Sequence, residues 1–226
     1  MKIKTDSPLD KLLDGGIEDD TITNIYGPAG SGKTNVILLA TLECIKNGKM
    51  VLYIDTEGSF SFDRFRQLGG DEELLKKIIF IEPGTWEDQH AQIKDLKRTI
   101  EAEKDIGLIA IDSMVTLYRL ELDKENFPMI NKQLATQYSI LSKIAREHKI
   151  PVLVTNQVYS QGDGIEITSR SVGHYWSKCL IELKKTGKSN CRFAIIKKHR
   201  SLPEGKSIEF EIKEKGLKEI GKFSFI

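Results

Sequence analysis

An α/β fold is what the sequence predicts: a twisted, mostly parallel central sheet flanked by helices, followed by a C-terminal antiparallel hairpin region. Short apolar runs alternate with helical patterns along the first two thirds of the chain. Residues 27–34 spell Gly-Pro-Ala-Gly-Ser-Gly-Lys-Thr, a complete G-x-x-x-x-G-K-[ST] phosphate loop set between a strand and a helix. The last third changes character to strands separated by polar turns, with Thr186-Gly187-Lys188-Ser189-Asn190 closing a hairpin.

Each element follows in order. Residues 21–26 read as a short strand leading into the phosphate loop, and the apolar stretch 35–42 as a helix whose N-terminus faces the phosphates. Residues 51–54 are a buried-strand run; a helix ends at 74–77, and a further strand covers 78–81. Over 86–103, apolar Trp86, Ile93, Leu96 and Ile100 with charges between them mark an amphipathic helix. Leu108-Ile109-Ala110-Ile111 is an apolar strand ending in Asp112, followed by a long helix at 130–148 and a strand at 151–155. Gly162, Gly164 and Gly173 make 159–173 a mobile segment, and later strands fall at 179–183, 192–196 and 207–212.

With 226 residues, 39% hydrophobic and 30% charged, the chain reads as one globular domain over 1–226. No apolar run reaches the roughly 18 residues of a membrane span, and the first residues lack the apolar core of a secretory signal. Cys44, Cys179 and Cys191 have no metal-type spacing and read as reduced thiols of a cytoplasmic protein. A net charge of +1 does not by itself point to a polyanionic partner.

The phosphate loop implies a nucleoside triphosphate. Gly27, Gly30 and Gly32 let the backbone bend so that successive N–H groups point inward, with Pro28, Ala29 and Ser31 completing the loop. Lys33 reaches the β- and γ-phosphates, and the Thr34 hydroxyl holds Mg²⁺. Asp112, ending an apolar strand, suits a metal-bound water beside Thr34, with a turn or helix-cap aspartate as the lesser alternative. Glu57, in Asp55-Thr56-Glu57-Gly58, would orient and deprotonate an attacking water, or else sit in a solvent-facing turn. Gln157 would sense the γ-phosphate, or be an ordinary polar strand end.

Five motifs in order, over nearly the whole chain, resemble the ATPase core of the RecA/RadA recombinases. They are residues 9–17 (Leu-Asp-Lys-Leu-Leu-Asp-Gly-Gly-Ile), the phosphate loop, Asp55–Gly58, residues 108–113, and Thr155-Asn156-Gln157-Val158. The resemblance implies a RecA-like P-loop core that uses ATP and Mg²⁺. Because the sequence starts almost directly at the first motif, it also implies a short archaeal member without an N-terminal helical DNA-binding domain or a Phe-x-x-Ala polymerisation strand. By this resemblance Lys33 and Thr34 bind triphosphate and Mg²⁺, Asp112 holds the metal water, Glu57 activates water, and Gln157 couples the γ-phosphate to a DNA-binding loop. Arg64 stands where the family stacks an arginine on adenine, although Ser61-Phe62-Asp63-Arg64 replaces the usual Arg-Pro-Glu-Arg.

The implied function is ATP and DNA binding in homologous recombination and the repair of DNA damage. The implied role is an accessory or mediator with a weak DNA-linked ATPase and no efficient strand exchange of its own. An autonomous filament-forming recombinase and a KaiC-like signalling ATPase are the alternatives. Expected partners are single-stranded or branched DNA at moderate affinity, recombination proteins such as RadA or a junction resolvase, and a further copy of the chain; no membrane is expected.

Two basic groups remain. Lys184, Lys185, Lys188 and Arg192, with Lys197-Lys198-His199-Arg200, would gather on one face of the hairpin and bind phosphates, or form a solvated charged face. The resemblance places Lys197, Lys198, His199 and Arg200 where recombinases reach DNA or a neighbour's ATP. It also places DNA-lining loops at 117–127 and 159–176. The first offers Arg119 and Lys124 against Glu121, Asp123 and Glu125; the second offers Arg170, His174, Tyr175 and Trp176. Both are poor in cations, which implies weaker DNA binding than a strand-exchange protein has.

Overall fold

The computed structural model describes residues 2–103, 105–123, 125–161, 164–167, 170–220 and 224–225. The chain opens with β1 (Lys2–Ile3), α1 (Pro8–Leu12) and β2 (Ile17–Glu18), where β1 and β2 pair antiparallel. Then come β3 (Ile22–Tyr26), α2 (Lys33–Lys46), β4 (Met50–Asp55), α3 (Phe62–Gln67), α4 (Glu72–Leu75) and β5 (Ile78–Ile81). Next are α5 (Trp86–Ala102), β6 (Ile106–Asp112), α6 (Thr116–Glu121), α7 (Phe127–His148) and β7 (Val152–Asn156). The hairpin β8 (Val158–Gln161) and β9 (Gly164–Ile167) leads to α8 (Arg170–Trp176). Last are β10 (Cys179–Lys185), β11 (Cys191–Lys198), β12 (Lys206–Lys213), β13 (Gly216–Glu219) and β14 (Ser224–Phe225).

The large sheet runs β13-β12-β11-β10-β3-β7-β6-β4-β5, with β14 also on β12. From β10 to β5 all neighbours are parallel; from β10 to β13 they are antiparallel. The predicted α/β class with its antiparallel C-terminal part is therefore the observed one. Burial on both faces explains the continuous apolar runs. Val51, Tyr53, Leu108 and Ala110 pack on the side of α1 and α2, while Leu52, Ile54, Ile109 and Ile111 face α5 and α7. This period of two divides each strand between two cores. α5 starts at a Thr85 cap whose side chain accepts from Asp88 N, and it buries Trp86, Ile93, Leu96 and Ile100 as one stripe. α7 opens with Pro128 in its first turn and ends at Lys149, whose φ of +55° stops it.

Two expectations change. The segment 117–127 is not all loop: α6 covers its first part and Phe127 begins α7, with Lys124 outside the described residues. The glycine-bearing stretch read as mobile forms β8, β9 and α8, with Gly162 outside the described residues. Backbone pairing in a hairpin accommodates glycine at a strand end, and α8 is held by Val172 and Trp176 packed on the core. The hairpin of β10 and β11 also separates the two basic groups. Lys185 pairs with Arg192 beside the turn, whereas Leu180 pairs with Lys198 at the far end. Six residues of strand put roughly 20 Å between them, so they do not form one patch.

Candidate active site

Four parallel strands deliver their carboxyl ends to one edge of the sheet, where ligands bind in open α/β folds. β3 leads into Gly27, β4 into Thr56 and Glu57, β6 into Ser113, and β7 into Gln157.

The phosphate loop wraps the start of α2. Gly32 is its N-cap in the left-handed region, φ +100°, with no side-chain cap, so the first N–H groups of α2 lack intrahelical acceptors and point out of its end. That is the geometry and partial positive charge that phosphate oxygens require. Lys33 Nζ lies over the loop and donates to Gly27 O at 2.9 Å and Pro28 O at 3.1 Å. Burial lowers its pKa, an effect opposed by Asp112 and Glu57 and aided by Lys185. The Ser31 hydroxyl oxygen is buried with no protein partner, so the loop retains unsatisfied polar capacity that suits a polyanion.

Asp112 is 2% exposed. Its Oδ1 accepts from Thr155 Oγ1, and its Oδ2 accepts from Thr34 Oγ1 at 2.7 Å and from Ser59 Oγ at 3.1 Å. Burial raises its pKa; the Thr155 and Thr34 hydroxyls pull it down, and Glu57 pushes it up. A nearby cation would relieve exactly this kind of charge burial, and the Thr34–Asp112 pair is the donor set Mg²⁺ uses. Among the described residues no group of three or more His, Cys, Asp or Glu could cage a metal. Mg²⁺ fits that condition, because it keeps waters and takes phosphate oxygens instead of an all-protein cage.

Glu57 is positioned by Asp55, whose carboxylate accepts from the backbone N–H of Glu57 and Ser59, both at 3.1 Å, and of Phe60 at 2.9 Å. Thr56 ties this turn to β6 by donating to Ser113 O at 2.7 Å and accepting from Ser113 N at 3.0 Å. The Asp112–Ser113 peptide is cis. Glu57 Oε1 accepts from Thr116 Oγ1 at 2.6 Å, Ser113 Oγ at 2.7 Å and Gln157 Nε2 at 3.0 Å. Desolvation pushes the Glu57 pKa up, but these three hydrogen bonds and Lys33 outweigh it and hold the carboxyl below its ordinary range. Gln157 Oε1 in turn accepts from Arg119 Nη1 at 2.6 Å.

Lys33, Thr34, Glu57, Asp112 and Gln157 thus share one edge. Arg64, on α3, reaches the first turn of α2 through Nε to Asn35 Oδ1 at 2.7 Å. Its Nη1 donates to Glu214 O at 2.7 Å and Gln67 Oε1 at 3.0 Å, and its Nη2 to Lys213 O at 2.8 Å. Residues 197–200 lie at the opposite end of the hairpin. Lys197 is 3.8 Å from Glu182, Lys198 Nζ donates to His174 O at 2.6 Å, and Arg200 pairs with Glu18 and Asp20, each at 2.8 Å. His199 Nδ1 accepts from the N–H of Ser201 and Leu202, both at 3.1 Å; burial lowers its pKa. The sequence assigns no individual role to Asp55, Ser59, Ser113, Thr116 or Thr155, and it places Arg119 on a DNA-lining loop and Arg192 in a phosphate-binding basic group instead of at the contacts found here. The first five stand within four residues of a strand's carboxyl end, and that proximity is the available signal.

The family model described as Rad51 matches residues 1–220. The "DNA repair and recombination protein RadB" of Methanobrevibacter smithii is 39% identical over 224 residues, covering 96% of this chain and 95% of that protein. The protein of the same name from Methanococcus maripaludis strain C7 is 46% identical over 219 residues, covering 95% and 99%. A solved structure titled "Crystal structure of the RadB recombinase" superposes with a TM-score of 0.82 at 33% identity, covering 97% of this chain and 100% of that one.

Proposed function

The chain belongs to the Rad51 family, and on that premise we propose that it is an ATP- and DNA-binding protein of homologous recombination and DNA repair. In this reading the whole chain, 1–226, works as one ATPase core in the cytoplasm. It is an accessory or mediator, with slow ATP turnover and no efficient strand exchange of its own. The names of its relatives support the process. No helix among the described residues is long and apolar enough to cross a membrane.

Lys33 and the N-terminus of α2 bind the triphosphate, and Thr34 with Asp112 holds Mg²⁺. When bound, the ion neutralises charge on the phosphate oxygens. Glu57 is the base. Its low pKa keeps it ionised at neutral pH, and its Oε2 accepts from no described residue, which leaves that oxygen to orient a water and take its proton. The single observation that carries the reading is the chain Glu57–Gln157–Arg119. It ties the candidate base to α6 and to the end of β7, the two places from which the family's DNA-lining segments start, and so supports ATP as a conformational switch. Arg119 is engaged in that chain, which supports weak contact with DNA. Lys197, Lys198, His199 and Arg200 lie away from the chain's own phosphate loop, which supports a role toward another molecule, DNA or a neighbour's ATP.

Steady-state ATP turnover with and without single-stranded DNA tests this, with Lys33→Ala and Glu57→Gln as controls. The expected result is ATP binding lost in Lys33→Ala and turnover far below the ~10 s⁻¹ of an ordinary enzyme. Fast DNA-stimulated turnover together with strand exchange would replace the mediator role by that of an autonomous recombinase.

A further inference from the structure

We infer that Arg192 is a positioning residue for the phosphate loop, acting through the carbonyl of Gly30, and that β10, β11 and β12 form the wall on which the loop is set. The inference rests on the nucleotide-binding reading above and adds a determinant that lies outside the phosphate-loop motif.

Three contacts carry it, one from each strand. A Cβ on Gly27 would lie 2.3 Å from Leu183 O, so the loop's first residue is seated on the backbone of β10. At the loop's other end, a Cβ on Gly32 would lie 3.1 Å from Ile212 Cδ1 of β12. Between them, Arg192 of β11 donates to Gly30 O from Nη2 at 2.8 Å and from Nε at 3.2 Å. Its third nitrogen, Nη1, donates to Cys191 O at 2.8 Å, which fixes the plane of the fork. Gly30 adopts φ +69°, a left-handed conformation that glycine takes without strain and that presents its carbonyl to β11. The guanidinium suits this task because two of its N–H groups in fixed relation meet one oxygen; an ammonium supplies a single unfixed charge.

Charge adds to geometry. Lys185 stands opposite Arg192 in the hairpin register, and its Nζ lies 3.5 Å from the Cβ position of Gly30. Two cations opposite each other repel. Among the described residues no carboxylate pairs with either. A polyphosphate in the adjoining loop relieves that repulsion, so bound nucleotide and the hairpin stabilise each other.

The test uses the full chain and equilibrium binding of a fluorescent ATP analogue with Mg²⁺, comparing wild type, Arg192→Lys and Arg192→Met. Melting without nucleotide is followed in parallel. Arg192→Met is expected to weaken binding about tenfold, the loss of two charge-assisted bonds partly offset by the Leu183 and Ile212 contacts. Nucleotide-free melting is expected to fall by no more than about 4 °C, because the same exposed bonds are lost there while relief of the repulsion with Lys185 offsets part of their loss. Arg192→Lys is expected to recover less than half of the loss, and the loss to persist from about 0.1 M to about 0.5 M salt. Full recovery in Arg192→Lys, or a loss abolished by salt, would overturn the inference in favour of simple charge attraction. Wild-type binding that Arg192→Met leaves unchanged overturns this inference alone; a wild type that does not bind the analogue overturns the nucleotide reading and this inference with it.

Discussion

Replacing Asp112 by asparagine removes a charge from a side chain that is 2% exposed while keeping its shape. Hydroxyls of Thr155, Thr34 and Ser59 donate to its oxygens, and each can turn to suit an amide. Bonds to charged groups are worth about 1.5–3 kcal/mol and neutral ones about 0.5–1.5 kcal/mol, so weakening three costs about 3 kcal/mol. Against this stands the burial of the carboxylate, whose effective penalty is several kcal/mol. Burial outweighs the bonds here, because it holds the Asp112 pKa above its ordinary value in spite of Thr155 and Thr34. The sign follows from linkage. A carboxyl with a raised folded pKa holds its proton more tightly when folded, so stability declines as pH rises above the unfolded pKa and through the folded one. At neutral pH the penalty is in force, and Asp112→Asn removes it for a net gain of about 1 kcal/mol, or about 2–4 °C in Tm for a chain of this size. The assay is thermal unfolding followed by circular dichroism, first in EDTA without nucleotide and then with Mg-ATP. Asp112→Asn should melt higher than wild type in EDTA and gain much less from Mg-ATP. Melting more than about 2 °C below wild type in EDTA would refute the charge-burial reasoning.

Glu57→Gln should leave binding of the ATP analogue nearly intact and slow turnover by about 10²–10⁴-fold; in wild type the acid limb of the rate profile should fall below pH 4.5, the ordinary glutamate value, because the carboxyl's hydrogen bonds and Lys33 hold it lower. Gly27→Ala forces a methyl to 2.3 Å from Leu183 O and should destabilise the fold by about 1–3 kcal/mol in urea denaturation, with weaker nucleotide binding in the fraction that folds. Arg200→Gln removes the hydrogen bond that lowers the Asp20 pKa, so carboxyl titration by NMR should show Asp20 rising toward 3.8. The stabilisation that this pairing adds is present above the unfolded Asp pKa and lost as pH falls through the folded one; with Arg200 partly exposed, it should amount to less than about 1 kcal/mol.

The strands were legible because burial on both faces leaves an uninterrupted apolar signal, as in Leu108–Ile111, and α5 because one apolar stripe repeats among charges. The phosphate loop was legible because its chemistry fixes residue types at fixed spacing. What the sequence hid is pairing across distance. Nothing local to Arg192 points to Gly30, 162 positions earlier. Ser113 and Thr116 carry no pattern of their own, and they meet Glu57 only because β4 and β6 lie side by side. The two basic groups were legible as composition but misread as one patch, since a run of lysines does not say which end of a hairpin it occupies. The segments read as loops contain α6 and α8 because tertiary packing of Leu117, Tyr118, Val172 and Trp176 decides there over local propensity, and β8 and β9 because their backbones pair with each other.

The wall behind the phosphate loop has a consequence in time. A ribosome adding about 5–20 residues per second needs roughly 10–30 s to travel from Gly30 to Arg192. The glycine-rich loop has been made before that interval, but for most of it β10 is missing from beside β3, and throughout it Gly30 has no guanidinium to hold it. A nascent chain stalled before residue 192 lacks that guanidinium and all of β12, and should therefore bind ATP much more weakly than the finished chain although its whole nucleotide motif has been made. The signal that the motif works then doubles as a signal that translation has passed the hairpin, and an ATP-affinity resin applied to stalled chains of graded length would read the moment directly.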